Sequence, residues 1–486
     1  MKLSLRESFR VLSDQECEKI YHAALDILGH VGVRIEHPRV AQAYAEAYQV
    51  APDSRSTVKF AKNVVESALE QARKIYLRTT GEVKHTEVVS PVKVSMGYSS
   101  HKVVDMETDA IRPATRDDLE KACMIGDFFD EMVCIPPLFF PQDVCPKTYA
   151  LHTLEILLRR VKHKKIAYTI GERDLSRYVL DMYAVIGGGS DNVIQNPPRS
   201  WVPHRFVMSP LRLDYESMET LFEYYDLGLP VHLSGTMVIP GASGPITLAG
   251  SLALATAEII VSVMFNLLFS KEKGRMIPGP TGITFIDQAT GQDCYGGPDT
   301  LLCKLAAAEM NNHLGFPQNG AEGGNTDICI PNYQAGAEKM FGLMAGVFTG
   351  QPVCVQCGQL GPGVLTGSLP QILLDMENCK MLNRFIEGIR VDEDALALDL
   401  IRSVGIGGSY LSEEHTAQNF RQEVWLPGIY QRILPELANG KKDVVVERSK
   451  EKAREILSKH SPCYLTEDQE KELRKIIARA DRKFAQ

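Results

Sequence analysis

Nothing in the charge of this chain recommends a nucleic acid or an anionic membrane as partner. Lys and Arg number 53 against 61 Asp and Glu, a net charge of −8, whereas such partners select basic surfaces. A disulfide framework is also missing. Eleven cysteines are scattered along 486 residues, which reads as reduced thiols in a cytosolic protein. The opening residues, MKLSLRESFRVLSDQE, lack the apolar stretch of a secretion signal. Only Ile246 to Phe269 is long and apolar enough to suggest a bilayer. Glu258, Asn266, Ser251, Thr256 and Ser262 interrupt it, and ionisable groups are costly in hydrocarbon, so a buried core helix is expected.

Familiar chemical motifs are sparse too. GxGxxG is absent and the Gly-rich run Val404 to Ser409 is not a Walker loop, so phosphate binding has little support. Cys354 and Cys357 form a CxxC with no second pair, and strand alternation would turn them to opposite faces. Core cysteines are expected, and no metal site. His152 and His163 lie on a segment rich in Leu, Arg and Lys that reads as a packing face. No catalytic Ser with a matched His and Asp stands out.

What is present is a long alternation of short apolar runs and helical patterns. Residues 1–90 read as a helical extension. Ser13 and Glu16 form a capping box there, and Ile20, Ala24, Ile27 and Leu28 share one face before Gly29 stops the helix. Within 91–388 the expected strands are Val92–Tyr98, Val133–Phe140, Lys165–Ile170, Ser200–Met208, Pro230–Ile239, Arg275–Gly282, Gly315–Gly320 and Pro352–Gln356. Helical stretches separate them. About eight successive β/α units predict an α/β fold of the TIM (β/α)8 barrel type, with an open doubly wound sheet as the alternative. Residues 389–486 return to helices that pack on the barrel, including the charged amphipathic stretches Val445–Ser458 and Thr466–Phe484.

In such barrels the site lies where strands pass into the following loops. The stretch FPQNGAEGGNTDICIPNYQAGAE is the most informative, because it sets Glu322 to Asp327 between an apolar segment and a helix. Its glycines admit close backbone approach to a ligand, or simply make a turn. Other expected strand ends carry Tyr98, Phe139 and Phe140, His204 and Arg205, and Gln356 to Gly363.

Three blocks resemble the trimethylamine methyltransferase superfamily, in its members without pyrrolysine. They are PGASGPITLAGSLALATAE, GGNTDICIPNYQAGAEKM and VGIGGSYLSEEHTAQNFRQEVWLPGIYQR, and LSDQECEKIYHAALDILGHVGVRI and DMETDAIRPATRDDLEKA fit as well. The resemblance implies a barrel that moves a methyl group from a methylated amine to the cobalt of a corrinoid protein. Where founding members carry pyrrolysine, this chain has ordinary residues, with Asn325 close to the equivalent place. That departure points to quaternary amines: glycine betaine first, then proline betaine or carnitine.

On this reading Asn325 and Glu322 are the catalytic candidates. Tyr98, Phe139 and Phe140 would cage the ammonium, unless the phenylalanines are plain core. His204, Arg205, Gln356 and Gln359 would donate to a carboxylate. His415 would face the corrinoid or merely pack a helix. No cofactor is expected to be tightly bound. The corrinoid (cobalamin) would come on a separate cognate protein, since no Asp-x-His-x-x-Gly segment occurs. A homo-oligomer is plausible from the amphipathic C-terminal helices. Rival expectations are a catalytically silent betaine-binding barrel and a zinc-dependent corrinoid methyltransferase.

Overall fold

Among the described residues, seven short strands in two parallel groups carry the helices, and within each group neighbours follow the chain, except that the last strand pairs with the first. They are β1 (Lys93–Met96), β2 (Met132–Cys134), β3 (His204–Val207), β4 (His232–Val238), β5 (Thr281–Ile283), β6 (Glu322–Gly323) and β7 (Cys354–Cys357). The computed structural model describes residues 9–80, 92–168, 170–196, 198, 204–270, 281–316, 322–349, 354–432 and 444–484. Hydrogen bonding joins the strands into two arcs, β6-β7-β1-β2 and β3-β4-β5. β7 lies beside β1, in the register Val355↔Val94 and Cys357↔Met96. Among the described residues of the expected third strand, Lys165–Ile170, one parallel bridge forms, Ile135↔Ile166. A 3-10 turn at His163–Lys165 runs straight into it, and Lys165 Nζ is spent on the Phe129 carbonyl at 2.8 Å.

The helical patterns at Asp117–Phe129, Lys147–Val161, Asp214–Asp226, Gln334–Phe348 and Leu369–Ile386 are met by the helices Arg116–Phe128, Tyr149–Arg160, Tyr215–Asp226, Tyr333–Phe348 and Leu369–Glu387. The first helix begins with the Ser13/Glu16 capping box. Gly29 does not end it. The chain continues through a π turn, Ile27–Val31, and stops at Gly32, whose φ of 80° suits only glycine comfortably. The apolar spacing at Ile429–Leu437 also predicts a helix, but residues 429–432 are not helical and 433–437 lie outside the described residues.

Leu248–Phe269 is long and apolar enough to cross a membrane by composition, yet the protein wraps it. Its polar side chains are matched one by one. Asn266 donates to the Leu233 carbonyl and accepts the Leu233 amide, both at 2.8 Å, close to a bulge in the β3–β4 pairing. Tyr44 and Tyr48 donate to the Val261 and Met264 carbonyls at 3.2 and 2.8 Å, fixing the N-terminal helices on it.

Glu258, fully buried on the same helix, accepts the Leu211 amide at 2.7 Å and the Thr236 hydroxyl. Burial pushes its carboxyl up to about 7, from an ordinary 4.5. Between those values the folded chain holds a proton that the unfolded chain has lost. Stability therefore falls as pH rises through that window, by up to ~1.4 kcal/mol per pH unit from this group. Glu258→Gln keeps the Leu211 amide bond at its oxygen and lets its NH2 donate to the Thr236 hydroxyl instead, and should flatten the slope in denaturant titrations between pH 5 and 7. Identical slopes in the two proteins would show that Glu258 is already ionised.

Candidate functional site

The chain segments that leave β1 and β2 run side by side and set the first aromatic pair. The amides of Ser99 and Ser100 donate to the carbonyls of Pro137 and Leu138 at 3.0 and 2.8 Å, and Phe140 N returns to Ser100 O at 2.9 Å. Ser100 bridges Phe139 in parallel. Neighbouring side chains on extended backbone point to opposite sides. Phe139 therefore enters the core, fully buried against Gly367, where any Cβ would come within 2.7 Å of its ring. Phe140 turns the other way. Its ring centroid lies 5.5 Å from Tyr98 and 5.1 Å from Tyr149, both edge to face. Tyr168, just past the Ile166 bridge, stands 6.4 Å from Tyr98 and 6.3 Å from Phe140.

A carboxylate joins this ring group. The Tyr149 hydroxyl donates to Glu172 Oε1 at 2.6 Å, and the Gly171 amide donates to Oε2 at 3.1 Å. Burial first, and the charge of Glu172 second, raise the Tyr98 and Tyr149 hydroxyls above the ordinary phenol range. Both stay protonated near neutral pH, so the rings present neutral π faces rather than phenolates. Arg205 reaches across from β3 and donates to the Gly171 carbonyl. Gly171 permits that approach, because a Cβ there would collide with the guanidinium. Arg205, Glu172 and Tyr149 are half-buried.

Gln359 secures Tyr98 from the β7 side, its Nε2 donating to the Tyr98 carbonyl. Gly97 allows the contact, since its Cβ would sit 2.8 Å from Gln359 Cβ. Gln356 accepts from Lys339 Nζ through its backbone carbonyl at 3.5 Å. His204 is half-buried, with its ring 5.7 Å from Phe206.

Beyond β6 the loop is tied down residue by residue. Thr326 donates to Glu338 at 2.6 Å, and Asp327 accepts the Tyr295 and Gly296 amides at 2.6 and 3.0 Å. Asn325 is buried, and its Oδ1 has no hydrogen-bond partner among the described residues. An unsatisfied buried amide oxygen costs about 1–3 kcal/mol, which a ligand could recover. Glu322 lies in β6, paired with Cys354; its side chain is outside the described residues. Asn325 shares a small recess with Tyr295, Lys304 and Glu338 rather than with the ring group, and His415 is half-exposed on the helix Glu414–Glu423, with its carbonyl accepting Asn419 Nδ2 at 2.9 Å.

Tyr149, Tyr168 and Glu172 were not among the sequence candidates. Tyr168 and Glu172 could have been found, since they end and follow the expected strand Lys165–Ile170, the strand-end rule applied to the third unit. Tyr149 gives no such signal. Of the two histidines read as packing, His152 bonds Asp481 at 3.2 Å and His163 lies 3.1 Å from the Leu158 carbonyl. Among the described residues no three His, Cys, Asp or Glu side chains are arranged to hold a metal ion.

With that geometry in view, comparison with known proteins is informative. Residues 4–485 match the family described as trimethylamine methyltransferase. The chain belongs to that family. Its relatives include the trimethylamine methyltransferase of Desulfitobacterium hafniense, 26% identical over 97% of this chain and 94% of the relative. The glycine betaine methyltransferase of the same species is 23% identical and covers 98% of both chains. The crystal structure of the Methanosarcina barkeri monomethylamine methyltransferase superposes with a TM-score of 0.49 at 12% identity, over 94% of this chain and 89% of that one. Family members named for a tertiary and for a quaternary amine thus stand at nearly the same distance.

Proposed function

We propose that this chain transfers a methyl group from a small quaternary amine to the Co(I) of a corrinoid carried by a partner protein. Glycine betaine is the first choice of substrate, with proline betaine or carnitine next. The observation that carries the reading is the ring group Tyr98, Phe140, Tyr149 and Tyr168 gathered beside the Glu172 carboxylate. A quaternary ammonium is cationic at every pH and cannot donate a hydrogen bond. It is held by π faces at roughly 0.5–2 kcal/mol per ring, together with a nearby negative charge. Arg205 is assigned to the carboxylate of a betaine.

The fold reading that goes with this is a closed (β/α)8 barrel over 91–388, between extensions 1–90 and 389–486. The pairing of β7 with β1 supports closure, because an open doubly wound sheet has no reason to set its last strand beside its first. Phe206, Met208 and Met237 are about two-fifths exposed. Met237 follows Thr236, which is bonded to the flanking helix, so alternation turns it inward. Such an apolar lining fits the face of a corrin ring. The reduced corrinoid, when bound, supplies the nucleophile.

This chain's part is positioning and water exclusion. The amine leaves neutral, so no general acid is needed, in keeping with tyrosines that hold their protons tightly. Asn325 is assigned to orient the substrate through its unpartnered oxygen, with Glu322 beside it. The test is to mix the protein with Co(I)-corrinoid protein and each amine, and to follow the cobalt absorbance. Glycine betaine, proline betaine or carnitine should consume Co(I), and trimethylamine should not. Calorimetric binding of betaine with no cobalt change would show a silent binder and end the proposal. Consumption of trimethylamine alone would end it equally.

A further inference from the structure

Between the helices Tyr333–Phe348 and Leu369–Glu387 lies a cavity of about 420 Å³, a size typical of small-molecule sites. Tyr430 closes one side, its hydroxyl donating to Asn378. Met340, Leu374 and Met381 make the lining mainly apolar, and among the described residues that line it none is charged. Tyr333, also in the lining, is 90% exposed. Two residues of the wall lack what their positions call for. Gly336 lies inside a helix without a positive φ, and a Cβ on it would meet nothing within 4 Å. Neither backbone conformation nor crowding requires glycine there, and glycine inside a helix is less favourable than alanine. Gln371, 2% exposed, donates from Nε2 to Asp375 at 2.8 Å, while its Oε1 has no hydrogen-bond partner among the described residues. Buried amide oxygens are normally bonded.

We infer that this cavity is an accessory binding site for a neutral, flat aromatic molecule that carries one hydrogen-bond donor. The donor bonds Gln371 Oε1, and the ring fills the space that Gly336 leaves open. Neutrality follows from the lining, since an ion would lose its hydration and gain no opposite charge. The two methionines favour an aromatic occupant, because a thioether is polarisable and packs well on ring edges. A quaternary ammonium, cationic and without a donor, meets neither requirement, so the site is distinct from the ring group around Tyr98. It is nevertheless joined to that group. Asp375 links Gln371 to the Gly358 amide, and the next residue, Gln359, holds the Tyr98 carbonyl. An occupant bonded to Gln371 thereby stiffens the support of the rings.

The inference is independent of the substrate reading, and its readout is binding rather than turnover. Indole, flat and apolar with a single N–H, is the probe, titrated into the full chain by calorimetry. It should bind with a Kd of about 0.1–1 mM, the range open to so small a ligand. 1-Methylindole, which lacks the donor, should bind at least about 10-fold more weakly. Gly336→Phe should abolish binding by filling the space, with a wild-type melt by circular dichroism. Met381→Trp fills the cavity from the other helix and should do the same, which keeps the test decisive if the first variant misfolds. Excess glycine betaine should not displace indole. Amide hydrogen exchange at Gly358 should slow when indole is bound. No binding of indole, equal affinity for 1-methylindole, undiminished binding in a folded filled variant, or displacement by glycine betaine overturns the site. Unchanged exchange at Gly358 overturns its link to the ring group.

Discussion

On the proposed function, Glu172→Gln is expected to raise KM for a quaternary amine by roughly 10–100-fold and to leave kcat nearly unchanged. Among the described residues the carboxylate is held by two neutral donors, the Tyr149 hydroxyl and the Gly171 amide, so its charge is left for a cation. Two unit charges about 4 Å apart in a half-buried site attract by about 4 kcal/mol before desolvation is subtracted, ample for a change of about 10–100-fold in affinity at about 1.4 kcal/mol per factor of ten. The split between KM and kcat follows from the chemistry. As the methyl departs, the nitrogen loses its positive charge, so Glu172 stabilises the bound substrate at least as well as the transition state. Removing it weakens binding without slowing the bound complex. Tyr149→Phe removes one hydrogen bond to the same carboxylate and should move KM in the same direction by less. Steady-state kinetics across a betaine concentration series decides it. A fall in kcat at constant KM would place Glu172 in the chemical step and refute this account of the cage.

The second large effect is on stability. Lys339 and Asp375 form an ion pair 2.9 Å apart with both side chains 1% exposed. Asp375 also accepts the Gly358 amide at 2.9 Å and Gln371 Nε2 at 2.8 Å. Burial raises its carboxyl and Lys339 opposes the rise. Lys339→Met would strand a carboxylate in the interior, and breaking such pairs costs about 3–5 kcal/mol. Without the lysine, Asp375 would favour its protonated form further. Its folded value would then lie well above its unfolded one, and stability would be lost as pH rises through that interval. The penalty should accordingly be small near pH 5 and full near pH 8, in denaturant unfolding at the two values. A loss under ~1 kcal/mol at pH 8 would mean the pair is hydrated or neutral.

The two predictions meet in one chain of contacts. Asp375 fixes Gly358, the next residue is Gln359, and Gln359 holds the Tyr98 carbonyl at the edge of the ring group. Gly358 has φ of +85°, and a Cβ there would lie 2.7 Å from Ile372, so the turn accepts no other residue without rearrangement. Lys339→Met should thus displace Tyr98 as well as lower stability, and on the proposed function it should weaken betaine binding too.

Local patterns were sufficient for much of this protein. The capping box at Ser13 and the apolar run of Leu248–Phe269 each depend on residues a few positions apart, which is the range over which helices form. Strand positions were legible wherever apolar runs were long, as at His232–Val238. They failed at Lys165–Ile170, where a run of the right composition makes, among the described residues, only one bridge because its neighbours commit the backbone elsewhere. The family was legible from three long blocks, and residues 4–485 bear it out.

Tertiary structure alone decided which side chains meet. Tyr98, Phe140, Tyr149, Tyr168 and Glu172 come from separate segments and converge through ring contacts and one 2.6 Å hydrogen bond. Which of two adjacent phenylalanines faces the site was set by the Ser100↔Phe139 bridge, a pairing across 39 residues that no periodicity encodes. The buried Lys339–Asp375 pair spans 36 positions on two different helices. The amino-acid order determines helices, strands and kinship because those depend on near neighbours. The site depends on which strand ends lie side by side, and that is settled only when the whole chain has packed.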